Sequence, residues 1–206
     1  NELAALAEER GDYGEALRLY KRVWSKERKD EYGAKALYRT GVIRQSELGQ
    51  TDAGLETKTR VVTRYPASVS AEFAVEDIAD HYETAGRVDA MIDQLEGLYD
   101  QVPGKPIGDN LLFRAGRAHE KLGRDAEALV AYRRIVYDYG KDSMVDDALW
   151  RMSKIYRAHQ MWRPALQALE LCAAKVEASW FIGSYNSPWA NDARFRSETP
   201  TVLVVL

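Results

Sequence analysis

The sequence predicts an all-α fold, a solenoid of antiparallel helix pairs with about five units and the start of a sixth. Three observations carry this. A turn residue recurs at near-constant spacing: Gly11 to Gly49 spans 38 residues, and Gly49–Gly86, Gly86–Gly123 and Gly123–Gln160 span 37 each. On both sides of each turn, apolar or small residues recur at i, i+3, i+4 and i+7, the mark of a helix with one buried face. No segment alternates with period two over a useful length before residues 201–206. A fixed period of this size is the signature of a repeat array, in which one unit cannot bury its apolar face alone and its neighbours complete the core.

Each element follows from local signals. The first helix of the fourth unit shows Leu112, Ala115, Gly116, His119 and Leu122, and that of the fifth Leu149, Met152, Ser153 and Tyr156. The second helix of the fourth unit shows Ala128, Leu129, Tyr132, Ile135 and Val136. Second helices stop at Tyr65-Pro66, Val102-Pro103 and Tyr139-Gly140. Proline cannot continue a helix and glycine suits its C-terminal cap. Ser68, Ser70 and Ser143 are candidate N-caps for the units that follow. The array is expected over residues 1–176. Residues 177–206 are expected to form an aromatic connection (Trp180, Phe181, Tyr185, Trp189), an incomplete sixth unit and an irregular apolar tail. Aligned on its turn, the first unit begins inside its first helix, so the chain reads as cut at both ends.

The pattern resembles the tetratricopeptide repeat family. Gly116 fills the family's first small position, and Tyr82 and Tyr156 its first aromatic one. Ala16, Ala128 and Ala165 fill the second small position, Tyr20 and Tyr132 the second aromatic, and Pro66 and Pro103 the closing proline. Lys58 stands where an aromatic belongs, Gly54 and Met91 where alanine belongs, and Gln160 replaces the turn glycine. The resemblance implies a right-handed superhelix that grips a partner with its first helices. The Tyr65-Pro66-Ala67-Ser68 ending is also similar to repeat modules of bacterial envelope proteins, such as the barrel-assembly lipoprotein and the Tol–Pal accessory protein. That narrower likeness implies a periplasmic or outer-membrane-associated setting.

Composition bounds the chemistry. A net charge of −3 over 206 residues gives no global attraction to nucleic acid. The single cysteine, Cys172, excludes an internal disulfide framework, and no apolar run reaches the ~20 residues that span a bilayer. His81, His119 and His159 fall late in first helices as packing residues, with no metal-ligand spacing. Gly104-Lys105-Pro106-Ile107-Gly108 lacks the spacing of a phosphate loop and reads as an inter-unit connection. No catalytic constellation and no cofactor site stands out, so the expectation is a non-enzymatic binding scaffold. The arm of a larger enzyme and a nucleic-acid-binding repeat are the alternatives.

One pattern points to a ligand. Leu37-Tyr38-Arg39, Leu112-Phe113-Arg114, Leu149-Trp150-Arg151 and the echo Arg194-Phe195-Arg196 recur in first helices, where the family resemblance places the concave groove. Phe113, Arg117 and Glu120 stand at i, i+4, i+7, as do Trp150, Lys154 and Arg157, whereas the third unit shows Glu76, Asp80 and Glu83. The candidate ligand-binding residues are Tyr38, Arg39, Phe113, Arg114, Arg117, Trp150, Arg151, Lys154 and Arg157. Guanidinium forks suit carboxylates and aromatic rings supply apolar area, so the expected partner is a protein segment with acidic and apolar groups.

Overall fold

A computed structural model describes residues 2–26, 31–140 and 144–180, with side chains described to residue 174. Ten α-helices lie among these residues: α1 (Glu2–Glu9), α2 (Tyr13–Trp24), α3 (Glu31–Val42), α4 (Thr51–Arg64), α5 (Val69–Thr84), α6 (Val88–Gln101), α7 (Gly108–Lys121), α8 (Asp125–Asp138), α9 (Met144–Ala158) and α10 (Trp162–Trp180). A π-helical turn, Ile43–Glu47, continues α3. The helices pair as the repeat predicts, and the described residues contain no strand. Two compact units divide the chain, residues 1–114 and those from 115 onward.

The recurring turn residue has one backbone role. Gly11, Gly49, Gly86 and Gly123 have φ between 64° and 74°, and Gln160 shares that left-handed geometry at 57°. Around it a pair of hydrogen bonds closes the first helix. Gly123 N–H donates to the Glu120 carbonyl (2.9 Å) and Arg124 N–H to that of His119 (2.9 Å). The same pair recurs at Gln160 with Arg157 (3.0 Å) and at Met161 with Tyr156 (2.8 Å). This is a left-handed C-terminal cap. Gln160 therefore keeps the turn at the steric cost that a side chain carries in that region.

The 38-residue first interval is explained by the π turn. Leu48 N–H reaches back to the Ile43 carbonyl at 3.1 Å, one residue further than in an α-helix. One residue is thereby absorbed within the helix. The turn also presses Gln45 onto α4: a Cβ added to Gly54 would lie 2.6 Å from Gln45 Cβ. Glycine at that departure from the repeat pattern is thus a requirement of the π turn.

Small residues meet where paired helices cross. Ala16, Ala36 and Ala128 are fully buried, and a Cβ on Gly116 would fall 2.6 Å from the ring of Tyr132. Such contacts let helices approach within the ~8–10 Å of tight packing. Leu37, Val61, Ile78 and Leu95 fill the core of residues 1–114, and Leu111, Tyr132 and Ile135 lie among the largest fully buried side chains. His119 and Cys172 are buried in this packing, and the Cys172 thiol donates to the Asp146 carbonyl at 3.6 Å. Leu122, expected on the apolar stripe, is instead exposed beside the turn.

Helix ends follow the sequence with corrections. Second helices α4, α6 and α8 stop just before Tyr65-Pro66, Val102-Pro103 and Tyr139-Gly140. Ser68 caps α5, its Oγ accepting from Ala71 N–H at 3.1 Å. Ser70 does not cap; its hydroxyl donates to Glu31 Oε1 at 2.6 Å, and Glu31 also accepts from the backbone N–H groups of Val69 and Ser70. A carboxylate of α3 thus occupies the dipole-positive start of α5. Helix α10 runs on to Trp180, past the expected limit at 176, because Ala173-Ala174-Lys175-Val176-Glu177-Ala178 contains no breaker. Ser143, the Arg194-Phe195-Arg196 echo, Phe181, Tyr185, Trp189 and the tail lie outside the described residues.

Candidate functional site

In residues 1–114, Tyr38 and Arg39 on α3 both point into inter-repeat contacts. The Tyr38 hydroxyl donates to Asp77 Oδ2 at 3.0 Å, and its ring lies 6.1 Å from that of Phe73 on α5. Burial, reinforced by the Asp77 carboxylate, pushes the Tyr38 phenol up to about 12. Arg39 forms an ion pair with Glu8 of α1, which also accepts from the Tyr20 hydroxyl at 2.9 Å. Arg114 on α7 reaches back to Glu76 of α5 at 2.5 Å. Phe113 beside it is half-buried.

From residue 115 onward, the first helix α9 presents Trp150 half-buried, with two cations over its ring. Arg151 Cζ lies 5.6 Å and Lys154 Nζ 4.7 Å from the ring centroid. Each is within reach of the negative face of the indole. Arg151 also pairs with Glu120 of α7 at 3.3 Å, and Glu120 accepts a hydrogen bond from the Tyr132 hydroxyl. Burial and that carboxylate hold the Tyr132 phenol far above its ordinary range. Arg117 and Lys154 are exposed, and Arg157 is half-buried near the end of α9.

The triplet arginine therefore has a recurrent geometry. Arg39, Arg114 and Arg151 each bond a carboxylate on the first helix of the preceding unit. The structure brings Trp150, Arg151 and Lys154 together, while Tyr38 and Arg39 sit in the separate cluster around Glu8 and Asp77. Sequence reasoning missed Glu8, and it placed Glu76 and Glu120 on helix stripes without pairing them with the arginines. Glu8–Tyr20–Arg39 and Glu120–Tyr132–Arg151 have identical spacings, 12 residues from acid to tyrosine and 31 from acid to arginine. That repeated interval was the available signal. It also missed Lys58, whose Nζ donates to Gln45 Oε1 at 2.6 Å and pairs with Asp77 Oδ2 at 2.6 Å.

The remaining titratable candidates have local partners. His159 Nε2 lies 2.7 Å from Asp125 Oδ2, and His81 stands edge-on to Tyr82 at 5.3 Å. Among the described residues no group of three histidine, cysteine or carboxylate side chains could hold a metal ion, and no helix is long and apolar enough to cross a membrane.

Comparison with known proteins agrees with this architecture. The tetratricopeptide repeat family model matches residues 35–68 and 111–142, each match running from a first helix through its paired second helix. No curated protein matches the chain. Among solved structures, a crystal structure of MamA protein shares 16% identity over 91% of this chain and 95% of its own, with a TM-score of 0.54. A second MamA crystal structure shares 16% over 85% and 95%, with a TM-score of 0.53. A MamA RS-1 double mutant shares 14% over 86% and 93%, at 0.51. Likeness at this identity concerns the fold. With the helix pairs and the left-handed turns, the family match identifies residues 35–68 and 111–142 as tetratricopeptide repeats.

Proposed function

We propose that the chain is a non-catalytic protein-binding scaffold whose α9 surface holds a segment of another protein bearing a carboxylate and a bulky apolar side chain. The observation that carries this is Trp150, a half-buried indole flanked by Arg151 and Lys154. A flat apolar plate between cations matches a ligand that is apolar and negatively charged within one residue or two. The exposed Arg117 of α7 and the half-buried Arg157 add positive charge. Arg39, Arg114 and Arg151 already carry carboxylate partners, so the charge offered to a ligand rests chiefly on Lys154 and Arg117. A rigid array loses little entropy on binding. Service in bacterial envelope assembly, and with it a periplasmic setting, is supported by the Tyr-Pro-x-Ser ending alone.

The test is a peptide-library pull-down on the full chain, with Trp150→Ala and Lys154→Glu as controls. Selected ligands should carry Asp or Glu near a large apolar residue. They should lose about 1–3 kcal/mol of affinity on Trp150→Ala, as an interface anchor does. Binding should weaken with salt without vanishing, because screening acts on the charges and spares the ring contact. Ligands that bind both variants as tightly as the original chain would defeat the reading.

A further inference from the structure

Two joints between repeats obey one rule of position. The residue nine before a turn residue reaches the residue three before the previous turn residue. Arg151, nine before Gln160, pairs with Glu120, three before Gly123. Arg39, ten before Gly49 because the π turn adds one, pairs with Glu8, three before Gly11. The same count leaves two places over in the first and fifth units. Glu2 stands nine before Gly11, and Arg157 stands three before Gln160. Their charges are the reverse of those in the arginine joints and opposite to each other. Neither forms an ion pair among the described residues. An acid in the nine-before place has a precedent in Asp77, nine before Gly86, which pairs with Lys58 of the preceding unit.

The surfaces beside Glu2 and Arg157 are apolar in the same register. Leu3 and Leu6 of α1 are 71% and 41% exposed. Met152 and Ile155 hold those places in α9 and are buried, as is Ile78 at the first of them in α5. All three helices pack on their own second helix, but α5 and α9 also pack on a preceding one, α4 and α8. That neighbour is what α1 lacks among the described residues. In α10, Trp162 and Leu166 are 64% and 48% exposed. Leu17, Leu55, Ile92 and Leu129 stand at the place of Leu166 and are buried or half-buried. Tyr13, at the place of Trp162, reaches into the following unit, its hydroxyl donating to Glu47 at 2.8 Å. The chain's own later echo is a poorer occupant. Aligned on its triplet, it sets Arg196 against Arg157 and offers Ser197 and Pro200 where α1 has Leu3 and Leu6. It would face like charge with like and bury less apolar area.

We propose that α1 of a second copy of this chain stacks on α9 and α10 as a further first helix would, burying Leu3 and Leu6 against Trp162 and Leu166 and pairing Glu2 with Arg157. Such a contact is head-to-tail, so it propagates from copy to copy or closes a ring. Neither Trp150 nor Lys154 takes part, and this inference and the proposed function therefore fail separately.

The experiment is sedimentation velocity of the full chain over a rising concentration series, in which the average mass should increase. Glu2→Arg and Arg157→Glu each set like charges across the contact and should weaken association by about tenfold or more. The double variant Glu2→Arg/Arg157→Glu restores opposite charges and should recover association, which a variant damaged in folding would not do. Lys154→Glu should leave it unchanged. The proposal is overturned if the chain stays monomeric throughout, if either single variant associates as the original chain does, if the double variant fails to recover, or if Lys154→Glu weakens association as much as the single variants.

Discussion

Tyr20 sits at the middle of the joint between α1 and α3, and Lys58 takes the corresponding place at the joint between the π turn and α5. Around Tyr20 stand a carboxylate, Glu8, and a guanidinium, Arg39. Around Lys58 stand a neutral amide, Gln45, and a carboxylate, Asp77. The middle and outer members are separated by 19 residues in both, and again between Tyr132 and Arg151. One scaffold of positions thus hosts two charge arrangements, each with one cation and one anion. The difference is where the cation sits. Arg39 and Arg151 lie toward the surface, whereas the Lys58 side chain is only 5% exposed and depends on Asp77 and Gln45. A cation without a partner at that depth is far more costly than one at the surface. The Lys58 joint therefore tolerates the loss of its partner less than the arginine joints do.

The largest test of that contrast removes the partner of the buried cation. Asp77→Ala should destabilise by about 3 kcal/mol, the low end for breaking a buried pair, because Asp77 itself remains partly in solvent. Chemical denaturation checks it, and a loss below 1 kcal/mol would mean that Lys58 is solvated. Next, Gly116→Ala forces a methyl against the Tyr132 ring at a 2.6 Å approach and should cost about 1–3 kcal/mol. An unaltered denaturation midpoint would show that α7 and α8 are less tightly crossed. Smaller still, Arg151→Ala should cost under about 1 kcal/mol, since its pair with Glu120 is partly exposed on both sides. A loss as large as that of Asp77→Ala would erase the distinction between the joints.

A separate test of the Tyr20 joint is in alkali. The Tyr20 phenol is pushed from 10.0 up to about 12, mainly by burial and then by Glu8. The folded chain thus keeps a proton that the unfolded chain releases, and this contribution is present below pH 10 and lost as pH rises toward 12. Absorbance titration should show a late-ionising group of tyrosines, with Tyr38 and Tyr132, that loses one member in Tyr20→Phe, and the fall in denaturation midpoint above pH 10 should be shallower in that variant.

The turn spacing made the helix pairs legible, because a left-handed cap demands glycine or a tolerated substitute at one place in each unit. Tyr20, Tyr132 and the triplet arginines were visible for the same reason: they recur. Glu8 was hidden by position, and so was the pairing of Glu120, since an acid three residues before a turn glycine looks like any solvated helix end until the next unit is stacked against it. Lys58 looked like a lapse from the pattern, and only its contacts with Gln45 and Asp77 show that the aromatic was replaced by a buried charge.

The π turn at Ile43–Glu47 has a consequence for modular engineering of such arrays. A helix rotates by about 100° per residue, so one extra residue turns everything before it by that angle. Arg39 lies ten residues before Gly49, whereas Arg151 lies nine before Gln160, yet both reach a carboxylate on the preceding first helix. The face shown by α3 and the length of its π turn are thus calibrated together. A graft of α3 without Ile43–Glu47, or of that turn into another unit, would aim the helix at the wrong neighbour. Residues 31–64 must be exchanged as one cassette, its cut sites placed outside both helices.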